Sequence, residues 1–239
     1  MRFKKIKNGV LFGLLVICGA SFGMEISVGR ATISLNGDKW QLAGEENKSS
    51  TFTGGREGGG SQGATQKTYF LADEAGKLKA VLKIDATNSG TTSPMRFTGG
   101  CEAAKSATPN RNAVVIDATG GSVSAMDCLR IYNVLTPMPF LAAVLKSDWE
   151  TIKAKNLQLP KKMVFVSQFV TTSNGTYLGA NLFADDTWVG APSNSTEANT
   201  TTAIAPEALA WGKLLAQASR DSVRSFSGKM QMPDIEFKQ

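Results

Sequence analysis

The chain has no histidine among its 239 residues. This absence excludes Ser-His-Asp and Cys-His catalysis, histidine-bound zinc and the commonest proton shuttle at neutral pH. The sequence also contains no C-x-x-C pair and no G-K-[ST] segment, which excludes a Walker A loop. It therefore predicts no metal site and no cofactor. Enzymatic activity is left uncertain, and the balance of motifs favours a protein that is not an enzyme.

Long apolar runs are missing except near the N terminus. The chain begins with a basic segment, which contains Arg2, Lys4, Lys5 and Lys7. An apolar run over 10–20 and small residues up to Gly23 follow. This order predicts a signal peptide over 1–23, because the run is shorter than the ~20 apolar residues of a membrane span. We expect a protein exported to the periplasm or secreted, with no transmembrane segment after cleavage.

A lipid anchor is the competing interpretation of this segment. Cys18 lies near the end of the apolar run, as the acylated cysteine of a lipoprotein would. The residue before it is the bulky Ile17, where that pattern normally has a small residue. The sequence therefore disfavours lipid anchoring at Cys18.

The chain carries little charge for its length. Charged residues make up 19% of it, and its formal net charge is +6. Four of the 26 basic residues and none of the 20 acidic ones lie in 1–23, which leaves 22 basic against 20 acidic residues, or +2. A surface so close to neutral does not indicate a nucleic-acid partner.

Only three cysteines are present, and two of them follow the predicted signal peptide. Cys101 and Cys128 are far apart in sequence, which does not fit a redox or metal-binding pair. In an oxidising compartment they predict a structural disulfide. Such a bridge stabilises a fold by roughly 3–4 kcal/mol in the chain-entropy model.

Hairpin signals dominate the remaining chain. The sequence predicts strands over 26–35 and 40–43 joined at Asn36-Gly37, and over 66–72 and 77–86 joined by a turn at 73–76. A further short strand is expected over 129–135. The fold class is therefore α+β. One domain over 24–239 would hold an antiparallel sheet of six to eight strands, built from hairpins and covered by a long C-terminal amphipathic helix.

The clearest hairpin signal is Asn174-Gly175, between two strand-like runs over 163–184. A two-residue turn there would pair Phe169 with Ala180. Both faces of this hairpin are largely apolar, so we expect it to lie centrally, with cover on each face.

Three helices are expected. One begins near Phe140, and a second follows Ser147, which would form a capping box with Glu150. The third begins near Pro206 and should bury one side. That side contains Trp211, Leu214, Leu215, Ala218 and Ser222.

Two polar segments are expected to lack regular structure. A flexible Gly-rich loop is predicted over about 44–65, and a Ser/Thr/Asn linker over about 191–202. The segment 58–63 fits G-x-G-x-x-G, but no buried strand precedes it and no helix follows it. A dinucleotide site is therefore not indicated.

Candidate ligand-binding residues lie near the hairpin ends. Tyr177, Asp186 and Trp188 are the prediction, since an acid beside aromatic rings can bind a sugar or a cation. A concave pocket lined by Tyr177, Phe183 and Trp211 would support it. The acid pairs Glu45-Glu46, Asp73-Glu74 and Asp185-Asp186 are otherwise expected to be solvated turn residues.

Three functions remain open from the sequence. The first is a non-enzymatic binding or interaction module of the cell envelope, with a protein, a glycan or a small apolar ligand as partner. The second is a histidine-independent hydrolase of envelope polymers, of Ser/Lys or carboxylate type. The third is an assembly factor that docks by a sheet edge.

Overall fold

A computed structural model describes residues 23–37, 39–52, 60–89, 101, 113–120, 125–191 and 204–238, without the side chains of 50–61. Nearly all of the predicted signal peptide and of the predicted linker lies outside these residues. No helix within the described ranges is long and apolar enough to cross a membrane.

The main feature is a seven-stranded antiparallel sheet, and the α+β class is confirmed. In chain order, its strands are β3 (Gln41–Phe52), β4 (Gly60–Ala72), β5 (Leu78–Thr87), β6 (Val114–Asp117), β7 (Asp127–Val134), β8 (Met163–Thr171) and β9 (Tyr177–Asp185). Their order across the sheet is β3-β4-β5-β9-β8-β7-β6. The predicted central position of the β8–β9 hairpin is confirmed, because these strands lie fourth and fifth in the order.

A second, three-stranded sheet was not predicted. It consists of β1 (Met24–Val28), β2 (Ala31–Leu35) and β10 (Lys229–Gln231), with β10 parallel to β2. The single strand predicted over 26–35 is thus a hairpin. It turns at Gly29, whose φ of 54° glycine adopts without strain. The predicted hairpin at Asn36-Gly37 is wrong, since β3 pairs with β4 in the large sheet.

The first face of the large sheet is covered by helix α3 (Pro206–Arg224) and by the small sheet. The helix lies close to β7 at Gly212, where a Cβ atom would be 2.9 Å from Cδ1 of Ile131. Trp211, Leu215 and Ser222 are buried as expected. Leu214 is 61% exposed, so its predicted place on the buried side is wrong.

The second face is covered at one end by two short helices, α1 (Pro137–Leu145) and α2 (Ser147–Lys153). An aromatic cluster fills the space beneath them, with Phe165 and Phe183 ring centroids 4.7 Å apart. The predicted capping box is wrong. Lys146 precedes α2 with φ 53° and without a side-chain cap, and Asp148 instead accepts a hydrogen bond from Thr68 at 2.5 Å.

The register of the central hairpin differs by one residue from the prediction. Phe169 pairs with Gly179, and Ala180 pairs with Gln168. The connection is a three-residue loop closed by Gly175 at φ 76°, a common alternative to the two-residue turn. Because a slip of one residue reverses the matching of faces, Ala180 shares its face with Gln168 and not with Phe169.

The segment predicted as a flexible loop is largely strand. β3 continues to Phe52 and β4 begins at Gly60, so 44–52 and 60–65 pair across the ladder. The residues between these strands lie outside the described part of the chain. Polar side chains and glycines obscured the period-two pattern here, because the buried side chains of this part of β4 include polar ones such as Gln62 and Thr65.

The predicted disulfide between Cys101 and Cys128 is confirmed, with the two Cα atoms 5.6 Å apart. Cys128 lies on β7, next to Asp127. The bridge therefore fastens the chain at Cys101 to the outer part of the large sheet.

Candidate functional site

A groove lies beside α3, over the outermost strands that the described residues form at one edge of the large sheet. The helix packs over β7 and β8, and β6 extends one strand beyond it. The resulting space of about 310 Å³ we call the helix–edge groove. It is lined by Ile116, Ala118, Asp127, Leu129, Lys213, Ala216, Gln217 and Arg220. Its volume falls at the lower end of the range for small-molecule sites.

The middle of the helix–edge groove is apolar. Ile116 on β6 pairs with Leu129 on β7, and Ala216 lies on the helix wall. Leu129 and Ala216 are almost fully buried, so their side chains form a fixed floor and wall. The apolar lining that remains accessible is the partly exposed Ile116 and the exposed Ala118.

A charged network closes one end of the groove. Asp127 accepts hydrogen bonds from Nε of Arg220 and, at 2.9 Å, from Nε2 of the buried Gln168. Nη1 of Arg220 also donates to Oε1 of Gln217 at 3.1 Å. These contacts hold the guanidinium in one orientation and neutralise it.

Lys213 lies at the other end of the groove. It is exposed, and no acidic side chain of the described residues forms a salt bridge with it. It lies seven residues before Arg220, which is two helical turns or about 10 Å along the axis. The groove thus has one neutralised cation, one unneutralised cation and an apolar centre.

A second cluster of polar groups lies on the other face of the sheet, around Asp85. Its carboxylate accepts a hydrogen bond from the hydroxyl of Tyr177 at 3.1 Å and lies 3.8 Å from Nζ of Lys48. The same ammonium is 4.0 Å from Glu46 and donates to Gln66. Two carboxylates therefore share one lysine on this surface.

Burial changes the acidity of two groups in this cluster. Desolvation raises the pKa of Asp85, although the charge of Lys48 opposes the shift. Desolvation also lowers the pKa of Lys83, with the charge of Lys48 as a second cause. The Lys83 ammonium donates to the Val144 carbonyl at 2.9 Å. Lys83 and Asp85 lie two residues apart on β5 and therefore share a face, and both are partly buried there.

A third cluster holds the predicted candidate Asp186. Its neighbour Asp185 is fully buried and lies 3.0 Å from the ammonium groups of both Lys77 and Lys79. Asp186 is half exposed and reaches Lys77 at 3.6 Å. The expectation that Asp185 is a solvated turn residue is wrong, because it is the centre of a buried ion-pair network.

The predicted candidate Trp188 is a core residue. It is 2% exposed, and its ring meets that of Trp211 edge to face at 5.4 Å. The Trp211 indole donates to the Asp234 carbonyl at 2.8 Å. These contacts fix the end of the chain against α3, which is a structural role.

The three predicted ligand-binding residues are not brought together. Tyr177 begins β9 and Asp186 follows its end, so they lie roughly 30 Å apart along an extended strand. Phe183 and Trp211 belong to cores on opposite faces of the sheet, which excludes a shared pocket with Tyr177. The residues of the helix–edge groove were missed because their convergence depends on how α3 crosses the sheet.

Among the residues that the structure describes, no group of three or more Cys, Asp or Glu side chains is placed to hold a metal ion. No family model matches the chain, and no curated protein or solved structure matches it significantly. Any conclusion about function therefore comes from the geometry of these sites.

The ion pairs of Asp185 should stabilise the fold in a pH-dependent way. Burial alone would raise the pKa of Asp185, but hydrogen bonds from Thr187, Lys79 and Lys77 lower it. Its contribution is therefore present above its ordinary pKa of 3.8 and lost as the pH falls through the lowered value. At neutral pH, Asp185→Asn should lower the free energy of unfolding by about 2–4 kcal/mol, because the partly buried ammonium of Lys79 loses its carboxylate and that of Lys77 keeps only Asp186.

Urea unfolding measures this effect, and Asp186→Asn is the matched control. Asp186 is half exposed, so its removal should cost no more than about 1 kcal/mol. Equal effects of the two substitutions would contradict the central role of Asp185.

The contribution of Asp85 to the stability of the fold should have the opposite pH dependence. Its raised pKa means that its favourable contribution is complete below 3.8 and is lost as the pH rises through the raised value. Asp85→Asn should therefore gain stability relative to the wild-type protein between about pH 4 and pH 7. Urea unfolding across this range tests it, with the exposed Glu74→Gln as control. If the difference in free energy of unfolding between the wild-type protein and Asp85→Asn stays constant with pH, burial does not raise the pKa of Asp85.

Proposed function

We propose that this protein is an exported, non-enzymatic binding module of the cell envelope, and that its helix–edge groove takes a small ligand with an apolar part. The observation that carries the proposal is the cavity of about 310 Å³ with an apolar centre and charged ends. Such a combination is typical of sites that bind by burial and orient by a few polar contacts. The basic and apolar segment over 1–23 supports export.

The confirmed disulfide agrees with an exported protein, since such bridges persist in oxidising compartments. We also propose that the C-terminal helix α3 is the amphipathic cover of the first face of the large sheet. In that arrangement the helix provides one wall of the binding site.

Docking by a sheet edge is less well supported. The edge strand β6 has only four residues, and the edge strand β3 carries charged side chains and a bulge between Leu42 and Gly44. These are features with which proteins protect edges from pairing. The geometry therefore favours the groove over the edges as the site of interaction.

The groove proposal is tested with the neutral fluorescent probe Nile red. Ala118 is exposed at the rim, so Ala118→Trp should fill the groove without changing the core. We expect the wild-type protein to increase probe fluorescence, and Ala118→Trp to reduce binding at least about tenfold, or about 1.4 kcal/mol.

The exposed Ala210→Trp on the same helix is the matched control, because Ala210 lies outside the groove. It should bind the probe like the wild-type protein. Equal binding by all three proteins, or none by the wild type, would contradict a ligand site in the groove.

A hydrolase is the second candidate, and the Glu46–Lys48–Asp85 cluster favours it. Both carboxylates lie within 4.0 Å of the Lys48 ammonium, so their nearest oxygens are at most about 8 Å apart. Separations of ~5–9.5 Å suit glycoside hydrolysis, with a carboxyl of raised pKa as the acid. Burial raises the pKa of Asp85, which is the direction that an acid catalyst needs.

This candidate predicts release of soluble fragments from purified envelope glycan. Asp85→Asn and Glu46→Gln should each abolish that release, while Glu74→Gln should not. Release that survives both substitutions, or no release by the wild-type protein, would contradict the hydrolase.

A further inference from the structure

We infer that the ligand of the helix–edge groove is a small amphiphile with a single acid group, which Lys213 binds while the hydrocarbon part lies against the partly exposed Ile116 and the exposed Ala118. This inference deepens the proposed function and rests on it. It assigns a ligand class and an orientation to the groove.

The two ends of the groove differ in their free charge. At the far end, Asp127 already engages Nε of Arg220 and the amide of Gln168. An added anion there would be repelled by the Asp127 carboxylate, and an added cation would meet the Arg220 guanidinium. The charges at this end satisfy one another, so it suits the uncharged end of a ligand.

At the near end the charge is unbalanced. Lys213 is exposed, and no acidic side chain of the described residues forms a salt bridge with it. An ammonium group at the mouth of an apolar cavity attracts an anion, since the cavity wall reduces the screening by water. One free ammonium matches one negative charge, which points to a carboxylate rather than a zwitterion or a cation.

The distance between the ends sets the size of the ligand. Lys213 and Arg220 are separated by two helical turns, and Ala216 lies between them on the same side of α3. The side chain of Ala216 is short, so the helix projects little into the groove opposite the Ile116–Leu129 pair. We therefore expect a straight hydrocarbon of medium length, since it has to span the roughly 10 Å between the two charged ends.

The test compares three probes with the same chain: octanoate, octanol and octylammonium. Binding to the folded, disulfide-bonded protein is measured by displacement of Nile red or by calorimetry. We expect octanoate to bind about fivefold more tightly than octanol, a difference of about 1 kcal/mol, and octylammonium to bind most weakly.

Lys213→Gln should reduce octanoate binding to the level of octanol and leave octanol binding unchanged. Lys229→Gln, an exposed lysine on β10, is the matched control and should change neither. Higher added salt should weaken octanoate binding only, because the contact of Lys213 is exposed to solvent.

The outcomes separate the two proposals. If octanol binds as tightly as octanoate, or if Lys213→Gln weakens both equally, the groove is a binding site but the acid-group inference is wrong. If octylammonium binds most tightly, Asp127 and not Lys213 selects the ligand, which also overturns the inference. If none of the three displaces Nile red and Nile red itself does not bind, the proposed function fails.

Discussion

The close packing of α3 against β7 determines where the helix–edge groove lies. Gly212 allows the contact, because a Cβ atom there would be 2.9 Å from Ile131 and 3.2 Å from Leu129. Packed so near the sheet, the helix covers β7 and β8 but leaves β6 beyond its width. The helix–edge groove is the space that results. Its apolar floor is a continuation of the core under the helix.

The opposite face of the same sheet is apolar at one end and polar at the other. Near α1 and α2 it is a packed aromatic core. Farther along, charged and polar groups take over, and Asp85 and Lys83 are only partly hydrated. Partial burial raises the pKa of Asp85 and lowers that of Lys83, because it disfavours the charged form of each group. The helix–edge groove and a polar cluster thus occupy opposite faces of one sheet.

Sequence patterns anticipated what depends on local chemistry. The central hairpin, the strand at β7 and the Cys101–Cys128 bridge follow from turn residues, period-two alternation and cysteine count. The register of the hairpin did not follow, because Asn174-Gly175 is compatible with both a two-residue and a three-residue loop. The structure adopts the latter, and every facing pair moves by one residue.

The candidate sites depend on contacts between residues that are distant in sequence, and local sequence patterns do not predict such contacts. Asp185 looked like half of a solvated acid pair, yet Lys77 and Lys79 of another hairpin bury and neutralise it. Trp188 looked like a ligand-binding aromatic ring, yet Trp211 of α3 packs against it. The groove itself joins β6, β7 and α3, which are distant in sequence. Only the crossing of helix and sheet brings them together.

The central claim is that this is an exported protein that binds a small acid-bearing ligand. Native mass spectrometry of the protein recovered from an oxidising export compartment tests it most directly. The account predicts the mass of residues 24–239 less two hydrogens, with an added species that leaves on denaturation and carries an acid group. A chain that keeps residues 1–23, has free thiols at Cys101 and Cys128 and carries no added species would contradict it.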